Sequence, residues 1–250
     1  MEEETVANVE VGSGVPVFEL PDGHGYPWDL SGQLEVGPVV LIFFRGDWCP
    51  YCNGQLASLA RNFDELQKRG AQVAGVSVDT SDHNAELVNK LLLPFPLLSD
   101  ARGDVARTYG LWNDREGVAV PAVVVVDRSG AVRYLYEGTD FADRSDNDEL
   151  YAALDETRRS PVDGAEIQAP SIRVTAAEAR ESIRPDRPPM KLDDLIPYYR
   201  GVFFTNMALK QRLEAQGWRG KKALREVTRY ADITRGYEKA IKETVELKSS

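Results

Sequence analysis

Cysteine is, with histidine, the scarcest residue in this chain of 250: there are two, and both fall in the run Asp47-Trp48-Cys49-Pro50-Tyr51-Cys52. So few thiols exclude a disulfide-stapled scaffold. With only two histidines, His24 and His83, and no finger-like spacing, a zinc site lacks its four ligands. His24, in the Pro21-Asp22-Gly23-His24-Gly25 turn, is a solvated loop residue. No metal and no cofactor is expected. Long apolar runs are missing too: nothing approaches the roughly 20 residues of a membrane span, and the acidic start Met1-Glu2-Glu3-Glu4-Thr5 has no apolar signal core. Basic charge is short, with 30 Lys and Arg against 40 Asp and Glu and a formal net charge of −10, which argues against nucleic acid or anionic membrane as a partner. A cytoplasmic chain is expected. In that reducing compartment a lone cysteine pair is a chemical group rather than a staple.

What is present is a delivery system for sulfur. Val39-Val40-Leu41-Ile42-Phe43-Phe44 is the pattern of a strand buried on both faces. Leu56, Leu59, Phe63 and Leu66 then recur at helical spacing, so Cys49 and Cys52 fall on the first turn of a helix ending near Lys68. Unpaired N–H groups and the helix dipole there favour thiolate over thiol. Two inert core cysteines are the plainer alternative, but Trp48 and Pro50 are odd company for simple packing.

Val73 to Asp79 is a second buried strand, Asn84 to Leu93 a helix stopped by Pro94, and Phe95 to Asp100 a short strand followed by a helix over Asp104 to Tyr109. This alternation implies parallel crossovers. Val120 to Asp127 and Ala131 to Tyr136, joined by Arg128-Ser129-Gly130, form an antiparallel hairpin, with Pro121 at a strand end because it cannot donate to a ladder. The expected fold class is α/β, a thioredoxin-like central mixed sheet flanked by helices, with a C-terminal helical extension. Its divisions are a flexible leader over 1–14, the sheet domain over 15–159, a proline-rich connector over 160–190 holding one short helix from Thr175 to Ser182, and the extension over 191–250. Two amphipathic helices in the extension are expected to bury Phe203, Leu209, Tyr230 and Ile241 against the sheet domain or a second subunit.

The strings Phe43 to Asn53, Gly75-Val76-Ser77-Val78-Asp79, Pro94-Phe95-Pro96-Leu97-Leu98-Ser99-Asp100 and Val125-Val126-Asp127-Arg128-Ser129-Gly130 together resemble the peroxiredoxins of the alkyl hydroperoxide reductase/thiol-specific antioxidant family. The resemblance covers about Val15 to Leu154 and implies a thioredoxin-like domain acting on hydroperoxides with an external thiol reductant. Laying the family's Pro-x-x-x-Thr-x-x-Cys motif on the chain puts its peroxidatic cysteine on Cys52, its threonine slot on Cys49 and its proline slot on Arg45. The arginine slot of the family carries Pro121. Arg45 either substitutes for that arginine or is an ion-pair partner of Asp47 or the acidic surface. Cys-Pro-Tyr-Cys itself looks like a glutaredoxin active-site sequence, and a proline facing a dithiol is a thioredoxin and glutaredoxin feature.

Three readings follow. The first is a thiol peroxidase cycling through a Cys49–Cys52 disulfide, in which sulfenic acid on one sulfur condenses with the other thiol; its reductant is of thioredoxin, glutaredoxin or low-molecular-weight-thiol type. The second is a thioredoxin- or glutaredoxin-type oxidoreductase for protein or glutathione disulfides. The third is a non-enzymatic redox sensor or partner-binding module. Candidate catalytic residues are Cys49, Cys52 and Arg45, and candidate substrate contacts are Trp48, Pro50, Tyr51 and Pro121. Helix-terminus electrostatics nominate Cys49 as the attacking sulfur. The family motif nominates Cys52, which is the assignment taken from sequence. A homodimer through the extension completes the expectations.

Overall fold

The computed structural model describes residues 9–159, 170–216 and 220–249. In chain order its elements are β1 (Phe18–Pro21), β2 (Pro27–Asp29), α1 (Leu30–Val36), β3 (Val39–Phe43), α2 (Pro50–Arg61), α3 (Phe63–Gln67), β4 (Gln72–Ser77), α4 (Ser81–Leu91), β5 (Leu97–Ser99), α5 (Asp104–Thr108), β6 (Trp112–Asn113), β7 (Val118–Ala119), β8 (Ala122–Val126), β9 (Val132–Glu137), α6 (Asn147–Arg159), β10 (Ile172–Arg173), α7 (Leu192–Glu214) and α8 (Lys221–Ser249).

A five-stranded sheet runs β5-β4-β3-β8-β9. β3 is its centre, parallel to β4 and antiparallel to β8. Both faces of β3 are buried, and the pleat sorts its side chains: Val40, Ile42 and Phe44 enter one core with α2 and α8, while Val39, Leu41 and Phe43 enter the other with Leu30, Leu34 and Tyr109. That two-sided burial is why the strand is a continuous apolar run rather than an alternating one.

Four sequence expectations are corrected. The expected helix to Lys68 breaks at Asn62, whose φ/ψ of −112°/22° are non-helical and whose amide donates to the Ser58 carbonyl at 2.8 Å. The leader expected over 1–14 is tied down from Val9, which is buried and donates to the Tyr109 carbonyl, while Gly12 donates to the Val132 carbonyl at 2.8 Å; the expectation over residues 1–8 lies outside the described residues. The described part of the expected connector, 170–190, is built into the domain. Its β10 pairs parallel with β1, and the helix expected from Thr175 shrinks to a 3-10 turn, Glu178–Arg180.

The fourth correction concerns the extension. α7 and α8 pack on each other, and α8 lies along α2, the helix that carries the dithiol. Ile241 is buried and Tyr230 half-buried, but Leu209 is 40% exposed and Phe203 only half-buried. Phe203 packs against α8, with the Arg235 guanidinium 4.7 Å from its ring centre.

Candidate active site

A sharp corner brings the sulfurs to the C-terminal end of the central strand β3. After Phe44 the chain turns through Gly46, whose φ of +148° suits glycine, and a Cβ there would lie 1.9 Å from the Trp48 ring. Cys49 is the N-cap of α2, with Pro50 at the first helical position. Asn53 fastens the corner, its amide donating to the Asp47 carbonyl at 2.9 Å and to the Cys49 carbonyl at 2.8 Å.

Both thiols are reduced and buried, at 1% and 0% exposure. The Arg45 backbone N–H donates to Cys52 Sγ at 3.4 Å, and Arg144 Nη2 donates to the same sulfur at 3.3 Å. Arg45 Nη1 lies 4.0 Å from Cys49 Sγ. The Cys49 thiol is lowered to about 6, first because the Cys52 thiol donates to it, and further by the positive charges of Arg144 and Arg45, all against the opposing effect of burial. Cys52 is held well above the ordinary thiol range by burial and by the neighbouring Cys49 charge. Burial and charge thus push the two sulfurs apart, Cys49 toward thiolate and Cys52 toward thiol.

Arg144 is the residue at the dithiol that the sequence did not disclose. It follows β9 in the loop Asp143-Arg144-Ser145 and sits 92 positions from Cys52, yet its side chain is 99% buried, by a residue exposure of 1%. It is the arginine that faces Cys52, where the family's arginine slot carries Pro121. The only sequence signal was one arginine in the otherwise acidic stretch Asp140 to Asp148.

Arg45 pairs with Glu116 rather than Asp47, and its guanidinium lies 5.6 Å over the Phe141 ring. Asp47 instead binds His83 Nδ1 at 2.5 Å and Arg184 Nη2 at 2.9 Å, and its N–H donates to Asp79. Burial and the nearby Asp47 charge raise the Asp79 carboxyl to about 7. This ionic cluster fastens the 182–190 segment behind the corner, with Met190 N–H donating to the Asp47 carbonyl at 3.2 Å.

Of the candidate substrate contacts, Pro121 alone lines the cavity of about 390 Å³ that also exposes Arg45, Glu116, Thr139 and Phe141. The chain before it is trans. Trp48 is packed under Gly46 with the Arg184 and Arg187 guanidinia 5.3 and 5.8 Å from its ring centre. Tyr51 is buried at the centre of edge-on contacts to Phe141, Tyr198 and Tyr237. Pro50 offers its carbonyl to the Tyr199 hydroxyl at 2.6 Å. Among the described residues no group of three or more His, Cys, Asp or Glu side chains is placed to hold a metal, and no helix is long and apolar enough to cross a membrane.

A thiol at the N-cap of a helix that follows the central strand of a thioredoxin-type sheet, its partner thiol held by a buried arginine, defines a thiol oxidoreductase. Residues 11–135 match the AhpC/TSA family model. Peroxiredoxin Q, chloroplastic, of Sedum lineare is 35% identical over 132 residues, 52% of this chain and 70% of that protein, and a peroxiredoxin of Aquifex aeolicus is 31% identical over 141 residues, 52% of this chain and 62% of that one. The crystal structure of peroxidoxin BcpB from Mycobacterium tuberculosis superposes with a TM-score of 0.56 at 28% identity, covering 62% of this chain and all of that one. The chain belongs to the AhpC/TSA family, the peroxiredoxins, and is a thiol-dependent peroxidase by that membership. The family match stops at 135, short of Arg144 and of both extension helices.

Arg144→Leu is expected to slow disulfide formation about a hundredfold, the usual cost of removing one preorganised donor from developing charge. Stopped-flow tryptophan fluorescence with hydrogen peroxide measures it, and an unchanged rate removes Arg144 from the mechanism.

Proposed function

We propose that this protein reduces hydroperoxides through a dithiol–disulfide cycle in which Cys49 attacks and Cys52 resolves, reversing the assignment taken from the motif. What carries this is the placement of the pair: Cys49 stands at the N-cap of α2 with Arg45 Nη1 at 4.0 Å and is lowered to about 6, while Cys52, wholly buried, is raised by that burial against the two donors that favour its thiolate. Cys49 thiolate attacks one peroxide oxygen, the O–O bond breaks, and the leaving alkoxide takes a proton to give an alcohol, or water from hydrogen peroxide. Arg45 and Arg144 are the cations beside the developing charge.

The product is Cys49 sulfenic acid, which is uncharged. Two of the causes that raise Cys52, its hydrogen bond to Cys49 and the Cys49 charge, then vanish, while Arg144 and the Arg45 N–H persist and favour the thiolate. Cys52 attacks the sulfenic sulfur, hydroxide leaves and is protonated to water, and the Cys49–Cys52 disulfide forms. An external thiol supplies two electrons to restore the dithiol, in a reducing, cytoplasmic setting. The disulfide-oxidoreductase reading has the Cys-Pro-Tyr-Cys run behind it, but the trans bond before Pro121 departs from the cis proline of that class.

Stopped-flow measurement of thiol loss against hydrogen peroxide, an organic hydroperoxide and a model disulfide tests the proposal. Fast consumption of a hydroperoxide supports it, and reaction with the disulfide alone overturns it. Reactivity is expected to rise with pH through a midpoint near 6, where Cys49 loses its proton, and to be flat above about pH 7.5. Iodoacetamide alkylation followed by mass spectrometry reads this profile, and a midpoint at the free-cysteine value of about 8.5 contradicts the site electrostatics.

A further inference from the structure

Arg45 reaches within 4.0 Å of Cys49 Sγ through Nη1, and what fixes it there comes from a distant part of the chain. Its other terminal nitrogen, Nη2, pairs with the Glu116 carboxylate 71 positions away, while the guanidinium carbon lies 5.6 Å from the centre of the Phe141 ring. Glu116 is itself built in. It sits in the turn of the β6–β7 hairpin, where its N–H donates to Asn113 Oδ1 at 3.1 Å and the Gly117 N–H donates to the Asn113 carbonyl at 2.8 Å. Gly117, at φ +66°, supplies the left-handed residue that closes this turn. Below it Val118 and Ala119 are buried, and the Arg107 guanidinium lies 4.0 Å from the centre of the Trp112 ring. The carboxylate is thus placed by the hairpin rather than by the arginine it meets. Nη2 has no other partner among the described residues, and the cavity that Arg45 lines also holds the carboxylates of Glu137 and Asp140, which attract the same cation.

We propose that Glu116 is a positioning residue for the peroxidase: its carboxylate holds Arg45 Nη2 so that Nη1 faces the Cys49 sulfur, beside the charge that develops when this sulfur attacks. The carboxylate also has an opposite effect, because its negative charge offsets part of the arginine's attraction for the thiolate. Placement and charge can therefore be separated by mutation. The other ionisable groups about the dithiol are Cys52 and Tyr51 on α2, Arg144 after β9, Tyr198 and Tyr199 on α7, and Tyr237 on α8. Asp47, in the corner, is committed to His83 and Arg184. Burial pushes all four tyrosines up, so they stay uncharged through the neutral range and leave Cys49 as the group that titrates there. The proposal deepens the peroxidase reading and rests on it for the attack step.

Glu116→Gln and Glu116→Met test it in the full, reduced protein. Both remove the charge at similar volume, but only Glu116→Gln keeps an oxygen that accepts from Nη2. Iodoacetamide alkylation of Cys49 against pH, followed by mass spectrometry, gives the thiolate midpoint, and stopped flow gives the rate constant with hydrogen peroxide. Glu116→Met is expected to react about tenfold more slowly than Glu116→Gln, the worth of one hydrogen bond to a charged group. Its midpoint is expected to lie about half a unit or more above that of Glu116→Gln, because the cation no longer stays on the sulfur. With Arg45→Met added, the two variants are expected to coincide, since the interaction in which they differ is gone. A merely structural part for Glu116 would move the melting temperature without separating the midpoints. Equal rates and midpoints in Glu116→Gln and Glu116→Met, or a difference that persists with Arg45→Met, overturns the assignment. The midpoints are read without peroxide, so a parental protein that consumed no hydroperoxide would end the peroxidase reading while the role of Glu116 was still decided.

Discussion

Cys49→Ser is expected to reduce the rate of reaction with hydroperoxide by about a hundredfold or more at pH 7, because it removes the attacking sulfur and leaves Cys52, which is wholly buried and raised first of all by that burial. Cys52→Ser behaves differently. Serine keeps an O–H that donates to the Cys49 sulfur, the interaction that does most to lower Cys49, so attack persists and sulfenic acid accumulates on Cys49 for want of a resolving thiol. Cys52→Ala removes that donor, and its reactivity midpoint is expected to rise above that of Cys52→Ser. Dimedone trapping with tryptic mass spectrometry locates the sulfenate. Sulfenate on Cys52 in the Cys49→Ser protein, formed at the parental rate, returns the attack to Cys52 and restores the motif-based assignment.

The second large effect is at Gly54, which lies in α2 directly beneath the extension. A Cβ there would lie 2.4 Å from Tyr237 Cδ2 and 2.7 Å from the Tyr199 hydroxyl. Both rings are buried, and Tyr199 is fixed by its bond to the Pro50 carbonyl. Gly54→Val is therefore expected to lift α7 and α8 from α2 and to cost about 3 kcal/mol, the upper range for overpacking, set against a gain of only tenths from leaving glycine in a helix. Thermal unfolding gives the loss. Faster proteolysis within 192–249 and faster alkylation of the uncovered cysteines identify its cause. Gly236→Ala is the control, since nothing lies within 4 Å of a Cβ at that α8 position; it is expected to be neutral or slightly stabilising. A Gly54→Val protein with parental stability and protected thiols shows that the extension does not seal the site.

Local pattern was enough wherever one segment both made the structure and showed the period. Val39 to Phe44 announces a central strand because burial on both faces leaves no place for a polar residue. The spacing of Cys49 and Cys52 after that strand places both sulfurs at a helix start, because a strand feeding a helix can only present its cap there. The hairpin at Arg128-Ser129-Gly130 is equally local, with Gly130 at φ +79° closing the turn. These determined the sheet domain and the chemistry of the dithiol.

Tertiary structure decided what depends on groups far apart in the chain. Arg144 reaches Cys52 only because β9 pairs beside β8 and returns its loop to the front of α2. Arg45 chose Glu116 over its sequence neighbour Asp47 because His83 and Arg184, from α4 and the segment behind the corner, had already engaged that carboxylate. The amphipathic stripes of α7 and α8 called for a cover without saying what they cover; only folding places Tyr199 and Tyr237 on Gly54. Sequence fixes the reactive atoms because bonding along the chain does. Their charges and access come from burial and Coulomb interactions, which act through space and leave no period in the sequence.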